Sequence, residues 1–196
     1  MAKQAERRAA TTEAILTAAR RLFGTQGFAA TTMDEIAEAA GIAKGAVYHH
    51  FKTKEAVFEA VFDLVSRDLV TEIDSAARAE KDVLAAMVAG TQHYFAATAK
   101  GPTGKIILRD GPAALGWERW REIDAKHFGG KMPRALSVAM ETGLIAKQPV
   151  EPLARLLLGA VTEAAVACAG RADIARAGAE YARAFKSLVE ALRLRA

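Results

Sequence analysis

The side chains best suited to grip a partner in this 196-residue chain cluster near its N-terminus. Lys44, Tyr48, His49, His50 and Lys54 place hydrogen-bond donors in one short stretch, and these residue types bind phosphate oxygens and base edges. Gly45 and Ala46 lie among them and are small where a helix pressed against DNA has no room for bulk. Other chemistries fit the chain poorly. His49 and His50 are adjacent, so a helix turns them about 100° apart, and no Cys or acidic residue stands at ligand spacing. Gly101-Pro102-Thr103-Gly104-Lys105 looks like a phosphate loop, but the spacing is short and Ile106 replaces the required Ser or Thr. Cys168 lies on an apolar helix face with no His nearby in sequence, a common place for a small buried thiol. No catalytic residue, metal or cofactor is expected.

The donors need a scaffold of two short helices joined by a tight turn. Thr32-Met33-Asp34-Glu35 reads as a capping box, Thr32 capping the first amides while Glu35 reaches back. Ile36, Ala37 and Ala40 then form the buried face of a helix barely two turns long. Gly41 follows, where a positive φ is wanted to end the helix and turn. A second short helix spans Lys44 to His50, with Val47 and Phe51 as its apolar positions. In such a pair the first helix crosses the DNA backbone and the second lies in the major groove. Upstream, Ile15, Ala19, Leu22 and Phe23 mark a helix from about Thr12 to Gly24, and Phe28 packs back after the break at Gly27. Thr53 caps a long helix from Lys54 to about Arg78.

Ala, Leu, Glu, Arg and Lys dominate the composition, and alternating β-type segments are missing, so the fold class is all-α. The chain is 52% hydrophobic and 26% charged, which fits a globular protein rather than a disordered one. A net charge of +4 suits a polyanionic partner without requiring one. The lone cysteine forbids an intrachain disulfide, and the polar, basic N-terminus is no secretory signal. The most apolar stretch, Leu153 to Cys168, is interrupted by Arg155 and Glu163 and is short for a bilayer. A cytoplasmic protein without a membrane partner is expected.

Residues Thr32 to Lys54, with Phe23, Gly27 and Phe28 upstream, resemble the DNA-binding domain of the TetR family of repressors. The string Gly45-Ala46-Val47-Tyr48-His49-His50-Phe51, followed by Lys54-Glu55, is similar to that family's recognition helix and the start of its fourth helix. The resemblance implies a three-helix helix-turn-helix domain over residues 1–56 and a helical-bundle ligand-binding and dimerisation domain over 57–196. It also implies a homodimer on a palindromic double-stranded DNA operator, released by a small-molecule effector. Thr32, Tyr48, His50 and Lys54 would then contact phosphates. Lys44, Ala46 and His49 would face bases, with Met33 near the groove. Ala43 departs from the family, which usually has Ser or Thr there, so no side-chain cap is expected on that helix.

The remaining helices are expected at Val83–Ala99, Trp117–Thr142 with a kink at Gly129-Gly130 or Pro133, Pro149–Ala169 and Asp173–Leu194. Lys100 to Gly116 reads as loops around a short helix at Lys105–Arg109. Dimerisation is assigned to the apolar faces of the last two helices, Leu153, Leu156, Leu157, Val161, Ala164, Ala165 and Cys168 on one, Ala177, Tyr181, Phe185, Leu188, Val189 and Leu192 on the other. Met87, Tyr94, Phe95, Trp117, Trp120, Phe128 and Met140 are candidates to line an effector pocket. His93, Arg109, Asp110, Arg121 and Glu163 are candidates to orient a polar group in it, and Arg109 to Pro112 is expected beside that pocket.

Overall fold

The computed structural model describes residues 2–99 and 101–194, and among them there are helices and no strands. The helices are α1 (Ala2–Thr25), α2 (Met33–Ala40), α3 (Lys44–His50), α4 (Lys54–Arg78), α5 (Val83–Thr98), α6 (Gly101–Gly104), a π-helical turn (Lys105–Asp110), α7 (Gly111–Leu115), α8 (Trp117–Phe128), α9 (Lys131–Glu141), α10 (Val150–Ala169) and α11 (Ile174–Ala191). They form two compact units, residues 1–65 with 101–120, and residues 66–100 with 121–196. The expected boundary after residue 56 falls inside α4, whose first half belongs to the first unit.

Several elements differ from their expected bounds. Helix α1 begins at Ala2 rather than near Thr12, because its first turns are polar and exposed and so leave no apolar stripe in the sequence. The segment read as loops is helical from Gly101 to Leu115, with Pro112 in the first turn of α7, where its missing N–H is harmless; Lys100 lies outside the described residues. Gly129-Gly130 separates α8 from α9 completely rather than kinking one helix.

The first unit is built on aromatic packing. Phe23 and Phe28 both meet the Phe58 ring edge to face, at 5.1 and 5.0 Å, and Phe58 leads on to Phe62. Ile15, Ile36 and Val47 are fully buried, tying α1, α2 and α3 into one core. The second unit has a core of Leu84, Leu136, Ile145, Leu157, Phe185 and Val189, drawn from α5, α9, α10, α11 and the α9–α10 connection. Its chain ends are stitched: Leu194 N–H donates to the Leu144 carbonyl at 2.9 Å, and Arg193 pairs with Asp82, the N-cap of α5. Helix α10, at 20 residues, is long and apolar enough to cross a bilayer, longer than the sequence suggested, yet it packs on α9 and α11.

Candidate nucleic-acid interface and effector site

The helix-turn-helix geometry is fixed by local chemistry. The Thr32 hydroxyl accepts the Glu35 amide at 3.2 Å while the Glu35 carboxylate accepts the Thr32 amide at 2.7 Å, completing the capping box. These bonds hold the Glu35 carboxyl below the usual carboxylate range. At the other end Gly41 adopts φ 66°, ψ 31°. Ile42 N–H reaches back to the Ala37 carbonyl and Gly41 N–H to that of Glu38, the paired bonds that close a helix with a left-handed glycine. Helix α3 starts at Ala43 with no side-chain cap, as its residue type dictates.

Val47 anchors α3 with no exposed surface, which turns Lys44, Gly45, Tyr48 and His49 outward. Ala46 is half-buried, and Tyr48 keeps 38% of its surface exposed. Met33, expected near the groove, is instead buried in the domain interior. Three of the expected donors already have partners. Lys44 pairs with Asp34 of α2 at 2.8 Å, a hydrogen-bonded contact that raises its pKa. His50 Nδ1 lies 3.0 Å from the Thr12 hydroxyl of α1, and burial, then Arg8 and His49, lower its pKa, so the imidazole is neutral near pH 7. The Lys54 ammonium donates to the Phe28 carbonyl at 2.8 Å and lies 4.3 Å from the centre of the Phe28 ring.

Phe28 is held from its other side as well. Its amide donates to Asp110 Oδ2 at 2.7 Å, and Lys105 donates to the Thr25 carbonyl. Gly27 sits at φ 91°, and a Cβ there would lie 3.0 Å from the Asp110 oxygen, so both backbone and space require glycine. The Arg109–Pro112 segment therefore docks on the turn after α1, in the unit that carries the helix-turn-helix, and not at an effector pocket as its composition suggested.

The eleven candidate effector residues do not form one set. Arg109, Trp117 and Trp120 belong to the first unit, where Trp120 is buried and donates to the Ile107 carbonyl at 3.2 Å, while Trp117 and Arg109 are exposed. Among those in the second unit, Arg121 and Glu163 are exposed, and His93 pairs with Glu72 at 3.1 Å. Met87 and Met140 pack in the apolar core already described. Tyr94, Phe95 and Phe128 do come together. Tyr94 meets Phe95 and Phe128 edge to face at 5.5 and 6.0 Å, and Tyr181 stacks on Phe95 at 6.4 Å. The sequence reading missed the group beside them, Asp124, whose carboxyl burial pushes up to about 6 against the pull of Arg121 and His127. A separate groove of about 580 Å³ between α5 and α11, lined by Leu84, Val88, Lys81, Val189, Glu190 and Arg193 among others, contains none of the eleven.

The apolar faces assigned to dimerisation are mostly core. Leu157, Ala164, Ala165 and Cys168 of α10 are buried, as are Ala177, Phe185 and Val189 of α11. The large apolar side chains left in solvent are Leu156 and Val166 on α10 and Leu188 on α11, with Leu156 72% exposed.

An all-α chain whose first unit presents a capped helix, a glycine turn and a second helix with outward donors is a helix-turn-helix DNA-binding protein. The model of the bacterial regulatory proteins of the tetR family matches residues 15–61, and that of the tetracyclin repressor-like C-terminal domain matches residues 84–192. The chain belongs to the TetR family of transcriptional regulators, none of which owes its role to catalysis. It is 25% identical to the transposon Tn10 TetC protein of Escherichia coli over 159 residues, 80% of this chain and 79% of that one. It is 46% identical to the regulator AcrR of Shigella flexneri over 54 residues, 28% of this chain and 25% of that one. Among solved structures, a TetR-family regulator from Pectobacterium atrosepticum superposes with TM-score 0.85 at 25% identity, covering 100% of this chain and 98% of the other. RolR in complex with resorcinol gives TM-score 0.72 at 19% identity, with 98% of each chain covered.

Proposed function

We propose that this regulator is a ligand-responsive repressor that binds a palindromic operator as a homodimer through α2 and α3 and leaves it when a small effector binds. The observation that carries the reading is the α3 surface: Val47 locks the helix down while Lys44, Tyr48 and His49 face solvent above small Gly45 and Ala46. Lys44 is the base-reading donor, and Thr32, Tyr48, His50 and Lys54 are the phosphate contacts. Effector control has its parallel in RolR, which is solved with resorcinol bound. An effector shifts the balance between DNA-binding and released states only by its differential affinity for the two.

Fluorescence anisotropy on DNA flanking the regulator's own gene, across a salt series, tests the reading. Tight binding to one palindromic fragment, falling steeply with salt as released counterions require, supports it. Equal, weak binding to every fragment, unchanged in Lys44→Ala, would overturn it.

A further inference from the structure

The second unit holds a carboxyl group to which DNA recognition gives no task. Asp124, on α8, is largely buried, and at about 6 its carboxyl is mostly ionised at neutral pH. Among the described residues it accepts no hydrogen bond, and the positive charges that it feels, Arg121 and His127, are on its own helix. Tyr94 of α5 is also buried, and its hydroxyl has no hydrogen-bond partner among the described residues. Geometry puts these groups in one place. Phe128 lies one helical turn beyond Asp124 on the same face, and its ring meets that of Tyr94 at 6.0 Å. Asp124 and Cys168 of α10 are the ionisable neighbours whose charge a Tyr94 phenolate would feel. Phe95 and Tyr181 extend the aromatic wall.

A carboxylate withdrawn from water is stable only when a positive charge or a set of donors replaces the lost solvent. Aromatic faces attract cations through their quadrupoles, most strongly where water is excluded. Apolar walls around one unpaired anionic group therefore select charge and hydrophobicity together. We propose that Tyr94, Asp124 and Phe128 form the polar end of the effector site, and that its ligand is a lipophilic organic cation. The positive centre meets the Asp124 carboxylate and the neighbouring ring faces, and the apolar body lies along Phe95 and Tyr181. This rests on the reading of the chain as a ligand-responsive regulator and adds the chemical class of the ligand.

The test is isothermal titration calorimetry of the full-length protein without DNA at pH 7.5, using benzyltrimethylammonium and ethidium as cations. Neopentylbenzene, the uncharged carbon isostere of benzyltrimethylammonium, and phenol are the neutral probes. The expected result is one cation site per chain, with the isostere and phenol at least tenfold weaker. Asp124→Asn then brings the cation down to the isostere's affinity, Asp124→Glu keeps most of the difference, and Glu180→Gln on the exposed face of α11 changes nothing. Asp124→Asn also melts higher than the parent at this pH, so its loss of binding is not a loss of fold. Equal binding of cation and isostere, phenol tighter than either cation, no binding of either cation, or full cation affinity in Asp124→Asn would each overturn the proposal. Operator binding is followed separately by anisotropy. Intact operator binding without cation binding removes this site alone, whereas lost operator binding counts against the regulator reading itself.

Discussion

Lys44 is the side chain with most to say about sequence, and it does not wait alone. Asp34 holds it at 2.8 Å, with both side chains largely in solvent, where such a pair contributes little to stability. Its consequence is for binding, because the carboxylate competes with a guanine edge for the same ammonium and repels nearby phosphates. Asp34→Asn is therefore expected to tighten operator binding several-fold, more at low salt, in the same anisotropy assay. Lys44→Ala should weaken it by about 1–3 kcal/mol and relax preference at one base position only; a uniform loss across all sequences would make Lys44 a phosphate contact. Asp124 sets a different dependence. Its folded carboxyl keeps a proton up to about 6, above the ordinary value of 3.8, so the folded state binds more protons than the unfolded chain between those values. Stability thus falls as pH rises through that window, by about 2–3 kcal/mol from this group. Melting curves of Asp124→Asn should lack that fall and lie above the parent at pH 8; parallel curves would show a solvated carboxyl. Lys44, Tyr48 and His49 were legible as exposed donors because helical spacing places them opposite Val47. The partners of Lys44, His50 and Phe28 were not, since Asp34, Thr12 and Asp110 stand 10, 38 and 82 positions away. Periodicity reports which face a residue is on and is silent about what meets it there.

At the scale of elements, α2, α3 and α4 could be bounded from sequence because each carries its own end signals: Thr32 with Glu35, Gly41, and Thr53, which caps α4 through the Ala56 amide at 3.1 Å. The 101–115 segment carries contrary signals. Glycine and proline at Gly101, Pro102, Gly104, Gly111 and Pro112 suggest loop, yet contacts made far along the chain hold it helical. Ile106, Ile107 and Leu108 are buried, and Asp110 receives the Phe28 amide. The same turn is gripped by Lys54, which donates to the Phe28 carbonyl from the start of α4. One residue thus joins the π-helical turn to a proposed phosphate contact. Asp110→Ala leaves a part-buried amide without an acceptor, which costs about 1–3 kcal/mol. Faster hydrogen exchange at Phe28 and a lower Tm are expected, together with weaker operator binding as Lys54 loses its fixed seat. Asp110→Asn keeps an oxygen in place and should recover most of both. If Phe28 exchanges at the parental rate in Asp110→Ala, the turn is held by Lys54 and aromatic packing alone.

At the scale of the whole molecule, the proposed reading needs two copies. One α3 reads half of a palindrome, and two copies related by a two-fold axis read both halves about 34 Å apart. The surface available for that axis is narrower than the helical periodicity of α10 and α11 suggested, because most of their apolar side chains are spent on the core of the unit. What remains in water is Leu156 and Val166 on α10 and Leu188 on α11, with Gly159 and Ala160 exposed between the first two. On α10 these positions recur every three or four residues, so they line one face, and small residues there let a second helix approach closely. A leucine with 72% of its surface in solvent is an unfavourable endpoint for a monomer and a favourable one for an interface, where burying a Leu side chain stabilises by about 1.5–3 kcal/mol. Leu156→Glu with Leu188→Glu places four like charges across a symmetric contact while touching nothing in the core. Sedimentation velocity should show the parent at twice its 20.9 kDa chain mass and the double variant at one, with unchanged helicity by circular dichroism. Operator affinity should collapse in the variant even though α3 is intact, because each half-site must then be held by a separate chain. A double variant that stays dimeric and binds DNA as the parent does would move the two-fold axis away from α10 and α11.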